Sequence, residues 1–175
     1  KWEAEKLWEE KRDKWIWWLP WSELPEDLFD DETDAIKYLV NNPSFDPLKL
    51  DNYCKEIVVP NLAIYGWFDF TAGGDILLFQ KMVREAKSEV ARRSSRLIIG
   101  PWTHSSVGRR IGNIDFGPHA EMDQDALRIR WFDYWLKGKQ NGIDNESPVS
   151  IFVMGDNQWR DEQSWPLYRA EDKIL

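Results

Sequence analysis

Cysteine is almost absent from this sequence, with Cys54 the only one in 175 residues. One thiol excludes an internal disulfide and any metal site built from several cysteines, and it leaves the redox compartment open. Histidine is nearly as scarce, since His104 and His119 are the only two. Chemistry that needs an imidazole therefore has two candidates in this chain.

Long apolar runs and an excess of basic charge are also missing. No stretch approaches the ~20 consecutive apolar residues of a membrane helix. The net charge is −8, and a surface of that sign repels phosphate groups, so we expect neither nucleic acid nor a membrane as a partner. The chain opens on KWEAEKLWEEK, without an initiator Met, a basic segment or an apolar signal core. We therefore expect an internal segment of a longer protein, whose compartment stays open.

Tryptophan, in contrast, is abundant, with 12 residues. Residues 1–42 have a polar-aromatic helical pattern, in which Trp2, Leu7 and Trp8 share one helix face. Pro20 and Pro25 then predict a bend. A second helix is expected from Asp31 to Val40.

Residues 55–138 have a different pattern. Two short apolar runs, Leu62–Tyr65 and Arg96–Ile99, each end at a glycine and predict strands. Gly73-Gly74-Asp75 predicts a helix start with Asp75 as its N-cap. Its buried stripe is expected to comprise Ile76, Phe79, Met82, Val83 and Ala86. A further helix is expected from Asp123 to Lys137, with its stop at Gly138 and with Leu127, Trp131, Tyr134 and Trp135 on one side.

This alternation of strands and helices predicts an α/β fold with a parallel sheet covered on both faces. After Gly142 the pattern changes, because Val149–Met154 alternates like a strand and no helix follows. We therefore expect three parts: a helical segment over 1–50, an α/β core over 51–142, and the first strands of a separate β domain over 143–175.

Two polar residues follow the predicted strands, where open α/β sheets place their sites. Asp69 follows the first and His104 follows the second, in the Asp-then-His order that ends an α/β-hydrolase triad. In such a triad the imidazole takes the proton of the serine and gives it to the leaving group, and the carboxylate orients the imidazole. The spacing alone leaves open that Asp69 is a turn former and that His104 is a surface residue.

Four motifs in order resemble the CocE/NonD hydrolases, from about Asn42 to the C-terminus: YGWFDF, LIIGPWTHSS, RIRWFDYWLKGKQNG and VSIFVMGDNQWRDEQSWPL. That family contains cocaine-esterase-like enzymes, α-amino-acid ester hydrolases, glutaryl-cephalosporin acylases and X-Pro dipeptidyl-peptidases. The resemblance implies that the chain is the C-terminal part of the catalytic domain of a serine hydrolase. It also implies that residues 1–50 belong to a helical cap and that a jelly-roll-like domain begins after about Val149.

By the same resemblance, Asp69 and His104 are the triad Asp and His, with no cofactor or metal. The expected substrate is a small acyl ester, amide or peptide. The expected partner is the upstream half of the same hydrolase, which carries the serine. X-Pro dipeptidyl-peptidase activity, and a truncated piece that serves only folding or docking, are the alternatives.

The sequence departs from the family pattern in two places. No serine lies in a G-x-S-x-G elbow, so the nucleophile is expected outside this chain. The serines that lack the flanking glycines of such an elbow include Ser22, Ser44, Ser88, Ser94, Ser95, Ser105 and Ser106. After Asp69, many relatives have a small residue and then an aromatic one, whereas Phe70 and Thr71 follow here, so no acyl-pocket role transfers to either.

Three further features have competing interpretations. His119 lies beside Pro118 and is expected at the surface. An acidic run favours a solvated loop over a cation or amine site: Glu26, Asp27, Asp30, Asp31, Glu32 and Asp34. The tryptophans at 15, 17, 18 and 21 favour packing over the wall of an acyl pocket, and Trp102 and Trp131 are expected in the core.

Overall fold

The computed structural model describes residue 12 and residues 19–23, 33–42 and 50–171. Some predictions concern residues outside these ranges: Trp2, Leu7 and Trp8, the tryptophans at 15, 17 and 18, and the acidic residues at 26–32. The chain divides into two units, 1–49 and 50–175. Each is described by itself.

In the first unit, a 3-10 turn covers Trp21–Glu23 and helix α1 covers Thr33–Asn41. The predicted second helix is thus confirmed over its described residues. Asn42 follows the helix, and its side-chain amide donates to the carbonyl of Tyr38 at 2.8 Å, which satisfies one of the unpaired carbonyls at the helix end.

The second unit is built on a mixed four-stranded sheet. Its strands, in spatial order, are β1 (Leu62–Phe68), β2 (Arg96–Thr103), β5 (Val149–Val153) and β6 (Gln158–Glu162). The first three are parallel and β6 is antiparallel to β5. A small antiparallel pair, β3 (Arg110–Ile111) and β4 (Ile114–Asp115), lies in the segment after β2. The predicted α/β class is confirmed.

Helices connect the parallel strands. α2 (Ala72–Glu85) and α3 (Glu89–Ser94) lie between β1 and β2, and α4 (Gln124–Lys137) lies between β2 and β5. Short 3-10 turns cover Leu50–Glu56, Pro118–Ala120 and Ile143–Asn145. Among the described residues, no helix is both long enough and apolar enough to cross a membrane.

Alternate residues of β2 enter two cores, because successive side chains of a strand point to opposite faces. Leu97 and Ile99 pack with Phe79 of α2 in one core. Ile98 packs with Leu127 and Trp131 of α4 in the other. Helices therefore cover both faces of the sheet, as the apolar strands predict. Trp102 and Trp131 are buried as expected.

α4 follows its prediction closely. The Asp123 carboxylate accepts from the Ala126 N–H at 2.9 Å, and Gly138 ends the helix at φ 68°.

α2 begins earlier than predicted, and the N-cap assigned to Asp75 is wrong. The helix starts at Ala72, Thr71 lies at the N-cap position, and Asp75 lies inside the first turn. Gly73 and Gly74 are helical, because the chain already turns at Asp69, whose carbonyl accepts from the Ala72 N–H at 3.2 Å.

The stripe of α2 differs from its prediction at one position. Phe79, Met82 and Ala86 are buried, Ile76 is partly buried against the same core, and Val83 is exposed.

The strands expected to open a separate β domain lie in the same sheet as β1 and β2. Leu97, Ile98 and Ile99 of β2 pair with residues 149–151 of β5. Val149 and Ile151 also share a core with Ala63. The domain division expected after Gly142 stays a prediction. The sequence pattern did not predict the pairing of β5 with β2, because the alternation within one strand does not show which strand lies beside it.

Candidate functional site

The pairing of β1 with β2 brings two loops together at one edge of the sheet. Gly66 is the partner of Gly100, but two residues later Phe68 is the partner of Thr103, because β2 has one extra residue at an irregularity. Such bulges bend a strand and redirect its side chains. The residues that follow this last pair are Asp69 and His104, so the bulge brings them opposite each other.

The Asp69 carboxylate and the His104 imidazole are in contact. His104 Nδ1 lies 3.1 Å from Oδ2 of Asp69 and 3.3 Å from Oδ1. The Asp69 side chain is 9% exposed, whereas that of His104 is 56% exposed. A buried carboxylate thus holds one ring nitrogen, and the rest of the ring is accessible. With Nδ1–H as the donor, Nε2 is the free acceptor.

Asp69 is held in its ionised form mainly by Thr71. The backbone N–H of Thr71 lowers the pKa of Asp69 most, burial opposes this, and the Thr71 hydroxyl and His104 lower it further. The resulting pKa lies below the usual value for aspartate, so the carboxylate is charged at neutral pH.

His104 lies in a tight turn directly after β2. The Thr103 N–H donates to the Ser106 carbonyl, and the Ser106 N–H donates to the Thr103 hydroxyl, both at 3.1 Å. On its face, the imidazole contacts the Phe70 ring at a centroid distance of 4.8 Å. Phe70 is itself 85% exposed. Sequence reasoning gave Phe70 and Thr71 no role; their position directly after Asp69 was the available signal.

A cavity of about 290 Å³ adjoins the pair and is lined by Tyr65, Asp75 and Trp102 together with Asp69 and His104. Burial, and then the charges of Asp75 and Asp69, raise the pKa of Tyr65 to about 12. Its phenol is therefore neutral at physiological pH. A larger cavity, about 650 Å³, lies at the opposite end of the sheet beside Ser95 and Val149.

The other candidate residues lie apart from this pair. His119 is exposed in the turn Pro118–Ala120, and its carbonyl accepts from the Trp159 indole at 2.6 Å. Within the described ranges, no group of three or more His, Cys, Asp or Glu could hold a metal ion. Of the acidic run, only Asp34 falls in those ranges, and of the tryptophans at 15–21 only Trp21, which is exposed.

A carboxylate–imidazole pair at adjacent strand ends of an α/β sheet is the arrangement that α/β hydrolases have. Cocaine esterase from a Rhodococcus species is 29% identical over 130 residues, which is 73% of this chain and 21% of that protein. Proteins designated serine esterases from Mycobacterium bovis and Mycobacterium tuberculosis are 30% identical over 130 residues, again 73% of this chain and 19% of theirs. These relatives support a CocE/NonD-like family for this chain and suggest a hydrolase.

The fold has a counterpart among solved structures. An aminopeptidase from a marine sediment archaeon of the Thaumarchaeota superposes with a TM-score of 0.58 at 20% identity, covering 78% of this chain and 23% of the aminopeptidase. No family model matches the sequence. The chain spans about a fifth of the length of the curated relatives it matches.

Proposed function

We propose that this chain supplies the Asp and His of a serine-hydrolase triad, in a protein that cleaves acyl esters or amides through an acyl-enzyme. The observation that carries the proposal is the contact of 3.1 Å between His104 Nδ1 and Asp69 Oδ2 at adjacent strand ends. The esterase names of the relatives support the same reaction class.

In the proposed mechanism, Asp69 accepts the Nδ1–H of His104, which fixes the tautomer with a free Nε2. Nε2 takes the proton of an attacking serine hydroxyl and then gives it to the leaving group. In the second half-reaction Nε2 takes a proton from water as its oxygen attacks the acyl carbon, and it then gives that proton to the departing serine oxygen, which releases the acid and restores the serine hydroxyl. The charge of Asp69 stabilises the imidazolium in both halves.

The serine belongs, in this proposal, to an upstream half of the same hydrolase, because no G-x-S-x-G motif occurs in these 175 residues. The substrate class is a small acyl ester, amide or peptide. Residues 1–50 are proposed as part of a helical cap segment. Residues after about Val149 are proposed to begin a jelly-roll-like domain.

Substitution of the pair in the full-length protein tests the proposal. We expect His104→Ala to lower kcat by several orders of magnitude and Asp69→Asn by about 10⁴-fold, because triad members act as a unit. The measurement is steady-state hydrolysis of short-chain p-nitrophenyl esters. His119→Ala is the matched control, since it removes the only other imidazole of this chain and should leave kcat unchanged.

A fluorophosphonate probe tests the location of the nucleophile. It should label the full-length protein and leave the isolated 175-residue chain unlabelled, because labelling needs an activated serine.

Near-normal turnover in His104→Ala would refute the assigned pair. Stoichiometric labelling of the isolated chain would refute an external nucleophile. A full-length protein that is neither active nor labelled would favour a non-catalytic folding or docking piece.

A further inference from the structure

Thr71 lies at the N-cap position of α2, yet its hydroxyl does not cap the helix. An N-cap Ser, Thr or Asp normally accepts a hydrogen bond from the second or third helical N–H. The N-cap residues of the other two α-helices in this unit do so: Ser88 of α3 accepts from Ala91 at 2.9 Å, and Asp123 of α4 accepts from Ala126 at 2.9 Å. Thr71 therefore differs from the other α-helix N-cap residues of this unit, because its hydroxyl makes no capping hydrogen bond.

The Thr71 hydroxyl is directed at the catalytic candidate instead. Its Oγ1 donates to Oδ1 of Asp69 at 2.8 Å, and the Thr71 backbone N–H donates to the same oxygen at 2.9 Å. Oδ1 thus receives two donors from one residue, while Oδ2 is the carboxylate oxygen closer to His104 Nδ1. Two donors on Oδ1 fix the rotation of the carboxylate about its Cβ–Cγ bond.

We propose that Thr71 is a positioning residue, whose hydroxyl orients Asp69 so that Oδ2 accepts the Nδ1–H of His104. This inference rests on the proposed function, because orientation of the pair matters for turnover only if His104 transfers protons. The hydroxyl is the essential group. The backbone N–H stays in any variant, so its bond to Oδ1 provides part of the orientation in all of them.

The test compares Thr71→Val with Thr71→Ser in the full-length protein. Valine keeps the shape and loses the donor, and serine restores the donor. We expect Thr71→Val to lower kcat about 10-fold with little change in KM, because a small misorientation of a catalytic pair reduces turnover more than binding. Thr71→Ser should return kcat to within about 2-fold of wild type.

A second readout does not depend on turnover. In protein labelled with ¹⁵N-histidine, the hydrogen-bonded Nδ1–H of His104 gives a downfield proton signal, assigned by its loss in His104→Ala. Thr71→Val should weaken or shift this signal, and Thr71→Ser should restore it. Ser88→Ala is the control, because it removes a hydroxyl that makes two hydrogen bonds far from the site, to Ala91 and to the Val58 carbonyl. It should lower the melting temperature and change neither kcat nor the signal.

The outcomes separate the two proposals. Wild-type kcat in His104→Ala would refute the proposed function. An inactive His104→Ala beside a Thr71→Val that keeps both wild-type kcat and the wild-type Nδ1–H signal would refute the role of Thr71 alone. Thr71→Ser as impaired as Thr71→Val would also overturn it, since the hydroxyl would then be irrelevant.

Discussion

At the scale of single residues, Gly66 is the position where the backbone leaves no room for a side chain. A Cβ added there would lie 2.1 Å from the carbonyl oxygen and 3.0 Å from the Cα of Trp102. These are backbone atoms of β2, so they cannot move aside as a flexible side chain would. This close approach lies at the irregularity that aligns Asp69 with His104, three residues before Asp69.

Gly66→Ala should therefore separate β1 from β2 at this point. We expect a loss of about 1–3 kcal/mol in the free energy of unfolding, the usual range for overpacking, and a weaker His104 Nδ1–H signal. Urea denaturation and the NMR signal described above measure the two effects. Gly73→Ala is the control: its added Cβ would meet nothing within 4 Å, so it should stabilise α2 by about 0.5–1 kcal/mol. Equal stability of the two variants would contradict this steric account.

At the scale of secondary-structure elements, Glu146 joins the start of β2 to α4. Its carboxylate accepts from Arg96 at 2.5 Å and from Arg130, and the Arg96 Nε–H also donates to the Ser147 carbonyl at 3.2 Å. Arg96 is buried, with a side chain 8% exposed. Burial raises the pKa of Glu146, but the hydrogen bonds from Arg130 and Arg96 outweigh it, so the pKa is lowered.

Glu146→Gln should destabilise the protein by about 3 kcal/mol, because it leaves the guanidinium of Arg96 buried without a counter-charge. The control is Glu89→Gln, which breaks the exposed pair with Arg93 on α3 and should cost at most about 0.5 kcal/mol. Urea unfolding at pH 7 measures both. A similar cost for the two substitutions would show that the burial of Arg96 has no energetic consequence.

Elements with a strong local pattern were predictable from the sequence. α4 combines an apolar stripe with an Asp cap and a Gly stop; its predicted start differs from the observed start by one residue, and its predicted end at Lys137 is the observed one. Asp69 and His104 were predictable as a neighbouring pair from two signals together, their position after apolar strands and the resemblance of their motifs to those of the CocE/NonD hydrolases. The start of α2 was not predictable, because it depends on the turn at Asp69. The position of β5 and β6 in the sheet was not predictable either, because it depends on contacts between residues distant in sequence.

At the scale of the whole molecule, the acidic balance of the chain has a consequence for stability. Among the described residues, five carboxyl groups have pKa values below their usual range: Asp69, Asp115, Asp133, Glu146 and Glu162. Asp133 is paired with Lys137 and Lys139, which are well exposed. Pairs of that kind contribute little and are screened by salt. Asp69 and Glu162, whose own side chains are 9% exposed, and Glu146, whose partner Arg96 is buried, should contribute most.

The sign of the pH dependence follows from these directions. A carboxyl group with a lowered pKa in the folded state binds protons less readily there than in the unfolded chain. Its stabilising contribution is complete above the unfolded value of about 4, and it is lost as the pH falls through the folded value. We therefore expect the free energy of unfolding to be nearly constant from pH 7 to about 5 and to fall steeply below about 4.

Glu146→Gln should reduce that acid dependence, because it removes one of the three main contributors. Urea unfolding at pH 7, 5, 4 and 3.5 compares the slopes, and each proton taken up on unfolding corresponds to about 1.4 kcal/mol per pH unit. Glu89→Gln should keep the wild-type slope, and added salt should reduce mainly the part due to exposed pairs. A stability that rises below pH 4, or an equal slope in wild type and Glu146→Gln, would show that groups other than these paired carboxylates govern the acid unfolding of the molecule.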